Sequence, residues 1–96
     1  MKKSPPPGTH VGIAWYTPAS YAALVEVADD RQTLPPTYAV WERAAREILF
    51  RLRDDGYVPE QYFVDVEELA RWCRKKNAPM DDANRAAFVR EKMARR

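Results

Sequence analysis

The sequence predicts a mostly helical α+β fold of about four helices and a small two-stranded sheet, in the order β-α-α-β-α-α. Three observations carry that expectation. Apolar residues at three-and-four spacing mark helices, two short β-branched and aromatic runs mark strands, and capping residues with prolines and a glycine mark the boundaries between them.

Residues 1–10 include Pro5, Pro6, Pro7 and Gly8, which suit neither a helix nor a strand ladder, so they are expected to form a flexible leader. A single globular domain over residues 11–96 follows it. Val11–Tyr16 is a short run with β-branched and aromatic members, which suits a strand, with a helix as the alternative. Thr17-Pro18 is a helix start, because the threonine oxygen can accept from free N–H groups and proline at the first position gives up a donor that has no partner anyway. That helix should run to about Ala28, and the polar stretch from Asp29 to Pro36 should connect it to the next.

Thr37 can cap the second helix, in which Tyr38, Trp41, Ala45, Ile48, Leu49 and Leu52 fall on one stripe that must face a core. Glu42 with Arg46, Arg43 with Glu47 and Glu47 with Arg51 lie four apart on the remaining surface, each pair worth about 0.3 kcal/mol. Asp54-Asp55-Gly56 ends the helix, with glycine free to take the left-handed conformation. Beyond the breaker Pro59, Gln61–Val66 reads as the second strand. Asp65 and Glu68 have the spacing of a capping box for a third helix, Val66–Lys76, with Leu69, Trp72 and Cys73 inward. Asn77-Ala78-Pro79 stops it, and Asp81 or Asp82 caps a last helix running toward Met93.

Composition narrows the function. Apolar residues are 46% and charged residues 31% of the chain, which is globular rather than disordered composition. The formal charge of +2 is too small to steer polyanions strongly, and the excess sits in the C-terminal segment, residues 80–96. One cysteine, no apolar leader and no stretch of about 20 apolar residues together point to a soluble cytoplasmic protein outside the membrane. One histidine and one cysteine leave no expected metal site and no cofactor.

Gly12-Ile13-Ala14-Trp15-Tyr16, Leu34-Pro35-Pro36-Thr37-Tyr38 with Trp41, and Val64-Asp65-Val66 leading to Leu69-Ala70-Arg71-Trp72-Cys73 resemble a family of small bacterial proteins of unknown function. The resemblance spans most of residues 11–90. It implies a bacterial cytoplasmic protein and carries no activity to these residues.

Several side chains remain as candidates. His10 lies in the expected leader and has no partner for a triad, Cys73 falls on an inward stripe, and the acidic pairs all lie at helix ends, so none supplies a catalytic set. No catalytic residue is expected. Phe50 lies half a turn from the apolar stripe, among Arg46 and Arg53, and Phe88 is off the face of the last helix; these four are the interface candidates for a protein partner or a homo-oligomer. The plainer account is that both rings pack between helices. Trp15, Tyr16, Tyr38 and Trp41 could line a small-molecule pocket, though core packing explains them more simply. Arg85, Arg90, Lys92 and Arg96 are the basic patch candidates, for which a solvated helix end outweighs nucleic acid. A non-enzymatic interaction domain is therefore the leading expectation, with a nucleic-acid accessory protein and a small-molecule binder as alternatives.

Overall fold

The computed structural model describes Pro6 and residues 8–95. Its elements are β1 (His10–Trp15), α1 (Pro18–Val27), a 3-10 turn (Arg31–Thr33), α2 (Tyr38–Asp54), β2 (Val58–Phe63), α3 (Val66–Lys75) and α4 (Asp82–Ala94). This is the order expected, in a mostly helical α+β fold.

β1 and β2 pair in parallel, from His10 beside Val58 to Trp15 beside Phe63. Parallel neighbours cannot be joined by a tight turn, and here α1 and α2 together make the crossover. The strand opens at His10, one residue before the expected boundary, and Gly8 N–H donates to the Gly56 carbonyl while Val58 N–H donates to that of Thr9. The end of the expected leader thus joins the fold, and residues 1–5 and 7 lie outside the described residues.

β2 also starts earlier than expected and contains Pro59, the anticipated breaker. The register explains why proline is tolerated. Val58 and Val64 donate to the carbonyls of Thr9 and Trp15, so the even-numbered residues of β2 face β1 and Pro59 occupies an outer position where no N–H is needed.

The helix starts follow their caps. Thr17 accepts from the Ser20 N–H and the Ser20 hydroxyl accepts from the Thr17 N–H, completing a capping box. Thr37, Asp65 and Asp81 cap α2, α3 and α4 by a single backbone bond each, accepting from the Val40, Glu68 and Asn84 N–H, so the box expected from Asp65 and Glu68 is present only in its Asp65 half. Gly56, at φ 92°, and Asn77, at φ 53°, take the left-handed conformation just beyond α2 and α3.

The two faces of the sheet are covered by different helices. α4 lies against the side of Gly12, where a Cβ would fall well inside contact distance of Met93 Sδ and 2.9 Å from Val89 Cγ1. α2 lies against the other side, packing Ala45 and Leu49 on Trp15, with Ile13 and Trp41 around them. The larger core gathers Tyr16, Leu24, Leu69, Cys73, Phe88 and Val89 between the sheet, α1, α3 and α4. Each such fully buried apolar side chain contributes about 1.5–3 kcal/mol. No helix among the described residues is long and apolar enough to cross a membrane.

Candidate functional site

A trench runs along the outer edge of β1, with a volume of about 670 Å³, within the range of ligand-binding clefts. Four consecutive residues, Val11 to Ala14, line it. Neighbouring strand residues point to opposite faces, so a cavity touching all four lies beside the strand rather than above or below it. α2 forms one wall through Ala44, Ile48 and Leu52, α4 forms the other through Asp82, Arg85 and Ala86, and Leu34 and Pro35 close one end.

Backbone groups supply the polar chemistry of the floor. Since Val11, Ile13 and Trp15 face β2 in the ladder, the N–H and C=O groups of Gly12 and Ala14 point outward, into the trench. The next outward carbonyl, that of Tyr16, accepts a hydrogen bond of 3.0 Å from the Tyr38 hydroxyl, which ends the free edge.

Tyr16 itself lines the trench, is 3% exposed, and has a hydroxyl with no hydrogen-bond partner among the described residues. Burial pushes its pKa up to about 12. Close to it, Arg85 grips Asp30 through two hydrogen bonds of 2.8 Å. Those bonds hold the Asp30 carboxyl below its ordinary value. This pair ties the loop after α1 to α4, and Asp29 reinforces it by accepting from the Met80 N–H at 2.7 Å.

The candidates named from sequence separate into distinct fates. Phe88 is 0% exposed, packed edge-on against Tyr62 and Trp72, which corrects its place on an interface. It does not meet Phe50, which is 54% exposed on α2. Arg46 stays at the surface, 3.4 Å from Glu42 and over the Trp15 ring, and Arg53 is exposed.

Trp15, Tyr16 and Tyr38 do come together around Trp41, but as a packed cluster joined by Tyr21 rather than as the rim of an open pocket. Only Tyr16 and Trp41 reach the trench. The basic patch also needs correction, because Arg85 is buried in its ion pair and Lys92 is paired with Glu68. Arg90 remains exposed, and Arg96 lies outside the described residues.

His10 is exposed at the strand start, with Nδ1 3.2 Å from Glu60. Cys73 is buried, and burial raises its thiol pKa, the opposite of activation. Among the described residues no three histidine, cysteine or acidic side chains are grouped to hold a metal.

Sequence reasoning missed the trench, the Asp30–Arg85 pair and the role of Gly12. One signal was available for the trench. The α2 stripe is longer than the surface it covers: Ala45 and Leu49 are buried, while Ile48 on the same stripe is 49% exposed. No family model, curated protein or solved structure matches the chain.

Proposed function

We propose that the chain is a non-enzymatic interaction domain that holds a segment of a partner protein in the trench along β1. One observation carries this reading: an apolar helix stripe patterned for burial is left uncovered where a strand edge presents backbone groups with no partner among the described residues, through Ile48 on one side and Gly12 and Ala14 on the other. Apolar surface and open hydrogen-bonding groups in one concavity are the two requirements of a peptide-binding edge. The interface moves from the off-face rings to the trench, since Phe88 is sealed in the core.

Filling the trench tests this. A random-peptide display library is panned on the immobilised full chain, and enriched peptides are measured against wild type, Ala44→Trp and Phe50→Glu. Binding should weaken about tenfold or more on Ala44→Trp, equivalent to about 1.4 kcal/mol, and stay unchanged on Phe50→Glu. Peptides indifferent to Ala44→Trp, or no enrichment at all, would overturn the reading.

A further inference from the structure

Resting on that reading, we infer that the occupant binds as an added β-strand: an extended partner segment pairs with Gly12 and Ala14, carries apolar residues at alternate positions and has a basic residue at the end that lies by Asp82.

Strand addition follows from what the floor offers. Outward N–H and C=O groups recur at every second residue of β1, and an extended chain at strand spacing satisfies them in sequence. A helix satisfies its own backbone and would leave them unpaired. Four lining strand residues span about 13 Å, enough for four or five residues of a pairing segment.

The walls then set the side chains. An added strand directs alternate side chains to opposite faces, so one set meets Ala44, Ile48 and Leu52 of α2 and the other meets Ala86 and Asp82 of α4. The first wall is wholly apolar and calls for apolar partners. Along the trench the residues charged at neutral pH are Asp30, Asp82 and Arg85, two carboxylates against one guanidinium. Asp30 is committed to Arg85, whereas Asp82 is exposed and in no ion pair among the described residues. A cation on the segment complements that remaining charge.

A second folded copy fits less well. Pairing β1 with its own counterpart requires the two backbones to approach to about 4.8 Å, and the α2 and α4 walls of both copies stand in that space. A stable dimer also buries about 800 Å² per partner, more than one recessed four-residue edge provides.

The test uses two acetylated and amidated heptapeptides alternating valine with serine, one ending in an N-terminal lysine and the other in a C-terminal lysine. Each is titrated into the isotopically labelled full chain, and amide exchange is followed by NMR. Strand addition should slow exchange at Gly12 and Ala14 about tenfold or more with one of the two probes. Methylation of alternate peptide nitrogens should remove the effect in one phase of the alternation and spare it in the other. Asp82→Asn should weaken that probe several-fold and flatten its salt dependence. Resonance shifts at Ile48 and Leu52 without protection at Gly12 and Ala14 would overturn strand addition while leaving a trench-binding domain. No shift with either probe at millimolar concentration would overturn the stated segment chemistry, and peptide-independent protection that grows with protein concentration would assign the edge to a second copy. Display peptides sensitive to Ala44→Trp would still separate that failure from failure of the interaction reading.

Discussion

α2 and α4 lie on opposite faces of the same two strands, yet the structure treats them differently. On α4, Phe88 and Val89 are sealed at 0% and 1% exposure, whereas on α2 Ile48 and Phe50 remain 49% and 54% exposed. α4 is clamped between the sheet and α3, with rings from Tyr62 of β2 and Trp72 of α3 on Phe88, and its polar flanks are tied by Arg85 to Asp30 and by Lys92 to Glu68. α2 packs on Trp15 through Ala45 and Leu49 but leaves the outer part of its apolar surface over the trench. A helix stripe therefore reports which face is apolar, not whether this chain covers it.

The largest effect should come from the sealed side. Phe88→Ala should lower unfolding stability by about 3–5 kcal/mol, because a fully enclosed ring leaves a cavity that its neighbours cannot fill. Urea denaturation measures it. A loss below about 1 kcal/mol would mean that α4 repacks freely, and the contrast with α2 would disappear.

Next comes the tie between the α1 loop and α4. Arg85→Leu should cost about 2 kcal/mol at neutral pH, less than the roughly 3–5 of a fully buried pair because the Asp30 side chain is still 19% exposed. The Arg85 hydrogen bonds depress the folded pKa of Asp30 below its unfolded value. Ionised Asp30 therefore stabilises the fold fully above about pH 4, and that contribution is lost as pH falls below it through the folded pKa. The gap between wild type and Arg85→Leu should narrow over that acid window. A constant gap from pH 7 to pH 2 would separate the cost of the variant from Asp30 ionisation.

How far the sequence discloses this arrangement depends on distance along the chain. The helices were legible because caps and stripes are local: Thr17, Thr37, Asp65 and Asp81 each act within three residues. Pro59 misled because the permission for proline in β2 comes from its register with β1, almost fifty residues away. Arg85 and Phe88 misled for a related reason. Arg85 reads as part of a basic edge until Asp30 is brought to it, and Phe88 reads as off-face on α4 alone, although α3 and β2 converge there to enclose it. The trench was half legible, since the Ile48 stripe was visible but its missing cover was not.

A smaller stability effect with a larger binding effect should come from the open side. Ile48→Asp should change unfolding stability by less than about 1 kcal/mol, because the side chain is already half exposed. The same change places an unpaired charge on the apolar wall and should abolish trench binding of the alternating peptides. Stability unchanged and binding lost would sharpen the contrast between a sealed helix and an open one. A loss above about 2 kcal/mol would show that Ile48 is covered in solution, leaving α2 as enclosed as α4.

The smallest effect should belong to Phe50→Glu, within about 0.5 kcal/mol of wild type and without consequence for trench binding. Phe50 is apolar and exposed, as is Phe63 at 60%, but neither lines the trench. Scattered exposed apolar side chains are ordinary on folded proteins, whereas apolar side chains beside an unpaired strand edge share a concavity with groups that need partners. Exposure alone therefore does not distinguish Phe50 from Ile48; what distinguishes them is the outward backbone of Gly12 and Ala14 beside Ile48. Sedimentation of both variants beside wild type tests the difference. If Phe50→Glu changes the oligomeric state while Ile48→Asp does not, the outer face of α2, and not the trench, is where this chain meets its partner.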